Sequence, residues 1–170
     1  MTTTPIIRLR AMEPEDLEAL YSMENNESLW PIGITNVPYS RYVLRDFICQ
    51  STGDIYTDKQ VRLMVENEAG ETVGMADLTT FDPKHLRAEI GLVIMDNQRH
   101  KGYARAAMEA LHHYAKATLH LHQVYAVIAS DNTHCLHLFH TLGYSQTGTL
   151  TDWLFDGTNY HDAVLLQHVL

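Results

Sequence analysis

Runs of alternating or continuous apolar residues predict seven strands along this chain. The predicted strands cover residues 6–10, 61–66, 72–81, 87–95, 124–129, 145–155 and 159–168. Apolar residues at helical spacing predict four helices, over residues 14–25, 40–49, 103–118 and 132–142. Residues 28–38 and 50–58 lack either periodicity and are predicted to be loops.

The order of these elements predicts a layered α/β (α+β) fold with a mixed sheet. The strand–helix–strand unit over residues 87–129 predicts one parallel pair of strands. Gly70 and the pair Asp156 and Gly157 predict tight turns between antiparallel strands, and Gly143 is placed to end the last helix. No repeat or linker interrupts the chain, so we expect a single domain over residues 1–170.

The charge balance of the chain narrows the classes of partner. The 170 residues include 12 Lys plus Arg against 21 Asp plus Glu, a formal net charge of -9. This charge disfavours nucleic acids and anionic membrane surfaces and favours cationic substrates. No apolar run reaches the ~20 residues that span a bilayer, and residues 1–5 lack the pattern of a secretion signal. We therefore expect a soluble, cytoplasmic protein.

The segment between the central strand and the third helix carries the most informative chemistry. Arg99, Lys101 and Arg105 concentrate positive charge in an otherwise acidic chain, and Gly102 and Ala104 permit close approach of a ligand to the backbone. Amides at the start of a helix lack internal partners and attract anions, so this loop suits a diphosphate. The alternative is an ordinary turn with solvated basic side chains. The pattern matches neither a Walker loop nor a G-x-G-x-x-G turn.

The run Arg99-His100-Lys101-Gly102-Tyr103-Ala104 matches the pattern Gln/Arg-x-x-Gly-x-Gly/Ala. Three further segments lie at spacings that match the same pattern. They are Arg87-Ala88-Glu89-Ile90-Gly91-Leu92 before this run, and Leu142-Gly143-Tyr144 and the closing hairpin at Asp156-Gly157 after it. On these motifs the whole chain resembles the GNAT family of N-acetyltransferases. Within that family it looks most similar to the spermidine N-acetyltransferases and the ribosomal-protein alanine acetyltransferases.

The resemblance implies a GNAT fold, with a single, mostly antiparallel sheet of about seven strands, a splayed central parallel pair and helices on both faces. It implies acetyl-CoA as co-substrate and direct acetyl transfer to a primary amine, without a covalent enzyme intermediate. It also implies that cofactor contacts come from three places along the chain. The implied residues are Val93, Ile94, Met95, Arg99, His100, Lys101, Gly102, Tyr103, Ala104, Arg105, Asn132 and Phe139.

Glu89 is the candidate catalytic base. It is the one carboxylate in an otherwise apolar central strand, where burial raises a carboxyl pKa. It also matches a carboxylate position of polyamine-acetylating relatives. An alternative of equal weight is a structural ion pair between Glu89 and Arg87 or another cation.

Phe139 departs from the family pattern, because many relatives place a proton-donating tyrosine at that position. Tyr144, His140 and Cys135 lie near in sequence as substitutes, and plain core packing of Phe139 is the stronger expectation. This departure keeps open a catalytically weak acyl-CoA-binding or sensing domain. A nucleotide-binding module that uses the same loop is a third hypothesis.

The acceptor amine is left open between a peptide N-terminus, a polyamine and another small amine. Trp30 and Tyr39 lie where relatives bind the acceptor, although helix packing explains these aromatic residues equally well. Residues 29–39 contain no carboxylate, unlike the acidic cluster of polyamine-acetylating relatives, so Glu24 and Glu27 remain as cation contacts. Relatives form dimers and larger assemblies, so a homo-oligomer is among the expected partners.

Two further residue types predict no additional site. His134, His137 and His140 recur every third residue and fan out by about 60° per step around a helix, so no metal site is predicted among the 11 histidines. The two cysteines, Cys49 and Cys135, lie in predicted helices and are expected to be buried free thiols.

Overall fold

The structure, a computed structural model, describes residues 4–32 and 37–170. Its centre is one seven-stranded sheet in the order β1-β2-β3-β4-β5-β7-β6. The strands are β1 Ile7–Ala11, β2 Val61–Asn67, β3 Thr72–Asp82, β4 Arg87–Ile94, β5 Gln123–Ala129, β6 Ser145–Phe155 and β7 Tyr160–Val169. All neighbouring strands are antiparallel except β4 and β5, which are parallel. The predicted mixed, mostly antiparallel sheet is confirmed.

The described residues form five α-helices and three short 3-10 turns. The helices are α1 Leu17–Glu24, α2 Arg41–Gln50, α3 Ile55–Asp58, α4 Tyr103–Ala117 and α5 Thr133–Thr141. The 3-10 turns cover Pro14–Asp16, Glu27–Ile32 and Asp96–Gln98. The four predicted helices are confirmed to within a few residues at each end.

The two predicted loops are wrong in part. The loop over residues 28–38 begins as the 3-10 turn Glu27–Ile32, and residues 33–36 lie outside the described residues. The loop over residues 50–58 contains α3. This helix forms because the Asp54 side chain accepts the Tyr56 N–H at 3.0 Å and Ile55 is buried in the core. A cap of this kind contributes about 0.5–2 kcal/mol, which one helical turn needs.

Helices cover both faces of the sheet, as predicted. On one face, α4 and α5 bury Met108, Leu111 and Phe139 against a core built from strands β2, β3, β4, β5 and β7. On the other face, α1 and α2 bury Leu20 and Leu44 against the inner strands. The burial of each central strand on both sides explains why β4 is almost continuously apolar.

Local turn chemistry works as predicted at the end of α5. Gly143 has a φ of 89°, in the left-handed region that glycine adopts without steric cost. The N–H groups of Gly143 and Tyr144 bond to the carbonyls of His140 and Phe139 at 3.0 and 3.1 Å, respectively.

The prediction that Cys49 is buried is wrong, because this residue is exposed on α2, while Cys135 is half-buried.

Candidate active site

β4 and β5 run side by side for only three residues and then separate. The paired residues are Arg87 with Gln123, Ala88 with Val124 and Glu89 with Tyr125. Beyond this point β4 stays paired with β3 as far as Ile94, and β5 stays paired with β7 as far as Ala129. The facing edges of β4 and β5 thus border a gap with backbone groups that pair with no strand in the described parts of the chain. An extended, amide-bearing chain fits such a gap.

The predicted diphosphate loop lies directly after β4, at the wide end of this gap. His100 and Gly102 both have a positive φ, of 62° and 86°, so the chain turns sharply before α4. Gly102 is the N-cap residue of α4, and no side chain caps the helix there. The first amides of α4 therefore remain available to an anion. No side-chain cap competes for these amides, although Pro5 packs against Gly102 on one side of the helix start.

The basic side chains of the loop are held in place by neighbours. Arg99 forms an ion pair with Asp96 at 2.8 Å, and the Lys101 ammonium donates to the Gln98 side-chain oxygen at 2.9 Å. Arg105 lies on the first turn of α4, 3.0 Å from Glu109 and 3.3 Å from the Thr141 hydroxyl of α5. The loop also approaches α5 through the rings of His100 and His134, whose centroids are 5.8 Å apart. Tyr103 and Ala104 are half-buried.

The three candidate backbone contacts on β4 are not equally free. Met95 donates its N–H to the Val73 carbonyl at 3.0 Å and accepts the Gln98 N–H at 2.8 Å, so both of its backbone groups already have partners. The Ile94 carbonyl accepts from the Arg99 side chain at 3.3 Å. The Val93 side chain packs in the α1–α2 core, beside the gap. Val93 pairs with Met75 of β3, and its carbonyl lies against Gly74 of that strand, so its backbone faces away from the gap. Strand alternation therefore leaves Ile94 as the residue of the three whose backbone faces the gap.

α5 borders the gap from the side of β5. Asn132 caps this helix, because its side-chain oxygen accepts the Cys135 N–H at 3.1 Å. Phe139 is 5% exposed and packs edge-on against Tyr144 with ring centroids 4.7 Å apart. Phe139 is therefore a core residue, as expected from the sequence.

The candidate proton donors near Phe139 are poorly suited to the task. The Tyr144 hydroxyl lies 2.8 Å from His112 Nε2 inside the core, and burial raises the pKa of Tyr144. Burial raises the pKa of the Cys135 thiol to about 11. His140 is exposed, and its Nδ1 lies 3.2 Å from the Tyr144 carbonyl. None of these groups replaces the missing tyrosine by position and chemistry together.

Glu89 lies at the closed end of the gap. Its neighbours Ala88 and Ile90 belong to the α4–α5 core, so Glu89 faces the opposite side, toward α1 and α2. The side chain is half-buried, and burial raises its pKa, an effect that a hydrogen bond from Thr80 partly offsets. Arg87 pairs with Asp82 at 3.2 Å instead, and no ion pair to Glu89 occurs in the described part of the chain. The alternative of a structural ion pair is therefore not supported, and the position remains suited to a base.

The same face of the sheet carries a charged network that the sequence did not reveal. Arg62 on β2 donates to both carboxylate oxygens of Asp77 on β3, at 2.8 and 2.9 Å, and also to Glu24 at the end of α1. Asp77 pairs in register with Gly91, two residues beyond Glu89 on β4. The sequence could have indicated this network, because the charged residues Arg62 and Asp77 occupy inward positions of two adjacent strands. Together with Glu89, this face presents three carboxylates and one guanidinium.

The two aromatic candidates for acceptor binding lie near this network. Trp30 is half-buried and donates its indole N–H to the Glu24 carbonyl at 3.3 Å. Tyr39 packs in the α1–α2 core, and its backbone exchanges two hydrogen bonds with the Asn25 side chain, at 2.7 and 3.0 Å. Both residues therefore border the segment that connects α1 to α2. Glu27 is exposed on the same segment.

Two other kinds of feature are missing from the part of the chain that the structure describes. Residues 4–32 and 37–170 contain no cluster of three or more His, Cys, Asp or Glu residues able to hold a metal ion. The same residues contain no helix long and apolar enough to cross a membrane.

The sequence of this chain is similar to a known domain family and to individual members of it. Residues 7–145 match the model of the acetyltransferase (GNAT) domain. The spermidine N(1)-acetyltransferase of Escherichia coli K12 is 28% identical over 172 residues, which cover 99% of this chain and 90% of that protein. The spermidine N(1)-acetyltransferase of Vibrio cholerae is 25% identical over 156 residues, which cover 92% and 88%.

Solved structures agree with these relatives. The crystal structure of the Vibrio cholerae spermidine N-acetyltransferase in complex with CoA and spermine superimposes with a TM-score of 0.87 at 25% identity. The match covers 96% of this chain and 95% of that one. A dodecameric structure of the Vibrio cholerae enzyme in an intermediate state gives a TM-score of 0.83.

Proposed function

The chain belongs to the acetyltransferase (GNAT) family, and we propose that it transfers the acetyl group of acetyl-CoA to a primary amine of a polyamine. The N-acetyltransferase activity and the use of acetyl-CoA follow from the family. The proposal concerns the acceptor and the roles of individual residues. We place the reaction in the cytoplasm, because acetyl-CoA and polyamines are metabolites of that compartment.

The observation that carries the proposal is the gap between β4 and β5, with a helix start that no side chain caps at one end and Glu89 at the other. The residues present fit acetyl-CoA, since unpaired strand edges suit its pantetheine amides and the α4 amides with Arg99, Lys101 and Arg105 suit its phosphates. We place Val93 and Ile94 of β4 on one side of the cofactor, and Asn132 and Phe139, at the start and near the end of α5, on the other. Acetyl-CoA supplies a thioester carbonyl that the amine attacks.

The residues around Glu89 supply the chemistry for the acceptor. An alkyl amine has a pKa near ~10 and enters as an ammonium ion, so a base must remove one proton before attack. Glu89 accepts this proton, because its raised pKa brings it closer to neutrality than an ordinary carboxylate. The leaving thiol has a pKa near ~8.5, so thiolate departure does not require the acid that Phe139 cannot provide.

A polyamine is the first acceptor because carboxylates line the Glu89 face. Glu24 and Asp77 share one guanidinium, that of Arg62, and Glu89 adds a further carboxylate. These groups attract a cation that carries several ammonium groups. The spermidine acetyltransferases among the relatives support the same acceptor class. Trp30 and Tyr39 border the connection between α1 and α2, where we place one wall of the acceptor site.

A peptide α-amine is the second candidate. Residues 29–39 contain no carboxylate, so the polyamine contacts expected from that segment are missing from the sequence. A peptide N-terminus carries a single charge and does not depend on these polyamine contacts.

The dodecameric form of the Vibrio cholerae enzyme supports a homo-oligomer for this chain as well.

One assay tests the proposal. CoA-thiol release is measured with spermidine, spermine, N-terminal peptides and amino acids at fixed acetyl-CoA, and acetyl-CoA binding is measured separately by calorimetry. Turnover highest with spermidine or spermine supports the polyamine assignment, and turnover restricted to peptides supports the second candidate. Acetyl-CoA binding without thiol release for any amine contradicts the proposed reaction and favours an acyl-CoA-binding domain.

A further inference from the structure

A cavity of about 660 Å³ lies beside the closed end of the gap, away from the diphosphate loop. It borders Arg87 at the start of β4, whereas the loop follows Ile94 at the end, about 23 Å further along the strand. Polar side chains from four strands line it, including Thr80, Asp82, Gln123 and Gln167. The cofactor gap and this cavity therefore approach the Glu89–Tyr125 rung from opposite ends.

Tyr125 connects the cavity to Glu89. It pairs in register with Glu89, and both side chains face away from the α4–α5 core because the flanking Val124 and Ala126 point into that core. Tyr125 also lines the cavity. The pKa of Tyr125 is raised by burial and by the nearby Glu89 charge, so the phenol keeps its proton at neutral pH.

Thr80 joins the same group of side chains. It lines the cavity, and its hydroxyl lies close enough to Glu89 and Tyr125 to offset part of the rise in the pKa of both groups. Thr80 has a φ of 51°, at an interruption in the pairing between β3 and β4. A bulge of this kind redirects a side chain out of the regular strand alternation and is kept where the new direction is used. Two hydroxyl groups thus lie between Glu89 and the cavity.

The proposed reaction creates a need for such a connection. Glu89 takes one proton from the acceptor ammonium in every turnover and must lose it before the next one. Glu89 is half-buried, and a bound acceptor covers the side from which the amine arrives. No cation pairs with Glu89 in the described residues, so its proton must leave through neutral hydrogen-bonding groups or water.

We propose that Tyr125 and Thr80 form the proton exit of Glu89, and that the cavity holds the water that receives the proton. The inference rests on the proposed function, since it requires Glu89 to act as the base. In each turnover the protonated Glu89 carboxyl releases a proton through the two hydroxyl groups to water in the cavity, which becomes hydronium and passes into bulk solvent. Glu89 returns to the carboxylate, and no other bond changes. Tyr125 relays the proton of Glu89 in this step and does not contact the acceptor or the cofactor.

The test combines Tyr125→Phe with rescue by a proton-carrying buffer. Tyr125→Phe is expected to lower kcat by at least about tenfold, with acceptor KM and acetyl-CoA affinity within about twofold of wild type. Increasing imidazole at constant pH and ionic strength should restore the rate of the variant and leave wild type unchanged. Tyr114→Phe is the matched control, because Tyr114 is a half-buried tyrosine on α4, away from Glu89.

The other outcomes separate this inference from the proposed function. Full turnover of Tyr125→Phe without added buffer, or a loss that imidazole does not restore, overturns the proton exit. Thr80→Val removes the second hydroxyl and gives the same readout if Tyr125→Phe folds poorly. A wild-type protein that acetylates no amine contradicts the proposed function instead. If Glu89→Gln lowers turnover and Tyr125→Phe does not, only the exit path is contradicted.

Discussion

Glu89 and Tyr125 form the last paired rung between the two parallel strands, and beyond them the sheet opens. This rung sets how far an extended ligand can enter between β4 and β5. It also places a half-buried carboxylate beside a phenol at that limit. The cofactor gap, the acidic face and the polar cavity therefore meet at one position in the fold.

Glu89→Gln should lower kcat/KM by about 10²–10⁴-fold, because the amide keeps the shape of the side chain and cannot accept the proton. In wild type, kcat/KM should rise with pH as Glu89 ionises, in a range above its ordinary pKa of 4.5 because burial raises that pKa. The rate should lose this dependence in the variant. Initial rates from pH 5 to 9 check the prediction.

The control for this change is Glu18→Gln, which alters an exposed carboxylate paired with Arg41 at 2.8 Å. It should leave both the rate and its pH dependence unchanged. A Glu89→Gln protein with wild-type turnover and pH profile would remove Glu89 from the catalytic role.

Phe139→Tyr should raise kcat, because it restores a hydroxyl where relatives carry a proton donor. The gain should be about tenfold or less, since a leaving thiol with a pKa near ~8.5 depends only partly on an acid. Phe139→Leu keeps an apolar side chain and serves as the control without a donor. Pre-steady-state acetyl transfer measures the effect, and a folded tyrosine variant with no gain would count against this placement of Phe139.

Gly102→Ala should weaken acetyl-CoA binding and destabilise the protein. A left-handed φ of 86° costs a non-glycine residue about 1–2 kcal/mol, and the new Cβ would lie 2.9 Å from Pro5 Cδ. Gly157→Ala is the matched control, with a φ of 99° and open space around the new Cβ. Both variants should lose stability in urea, and only Gly102→Ala should lose affinity in calorimetry. Equal acetyl-CoA affinity in both variants would contradict a role of Gly102 in the loop.

Acid should destabilise the fold through His112. Burial lowers the pKa of His112 from 6.5 to about 4, and the neighbouring His168 adds to this effect. Between pH 6.5 and 4 the unfolded chain binds the proton that folded His112 excludes, so the free energy of unfolding falls as the pH falls through this window. The charge would appear beside the Tyr144 hydroxyl, inside the ring stack with His168.

Urea unfolding at pH 7, 6 and 5 measures this dependence. His112→Gln removes the titrating group and retains a hydrogen-bonding side chain toward Tyr144, so its stability should change less over the same range. The difference between the two proteins isolates His112 from carboxylates that titrate in the same range, because those carboxylates are present in both proteins. Parallel pH profiles for the two proteins would contradict the assignment.

Periodicity and turn chemistry placed nearly every element correctly, because both are encoded by neighbours along the chain. Gly143 and the pair Asp156 and Gly157 marked their turns for the same reason. The failures have a tertiary cause. α3 is too short for a periodic signal and forms because Ile55 is buried and Tyr56 packs edge-on against Phe81, with ring centroids 5.2 Å apart. Cys49 occupies a helix position that the fold leaves exposed.

The loop and Glu89 could be proposed from the sequence, since a basic glycine turn and a lone carboxylate stand out within a few residues. The groups that surround Glu89 could not be proposed from the sequence. Arg62 and Glu24 are 38 positions apart and meet only because α1 lies across β2. Tyr125 and Thr80 come from different strands and are ordinary polar residues until the sheet brings them beside Glu89.

The amino-acid order alone determined the strands, the helices and the family, and it located the proposed diphosphate loop, because those features depend on local spacing. The tertiary structure decided where β4 and β5 separate, which cation each carboxylate meets and which hydroxyl groups surround Glu89. Those outcomes depend on contacts between distant segments, whose distances and burial exist only once the sheet has formed.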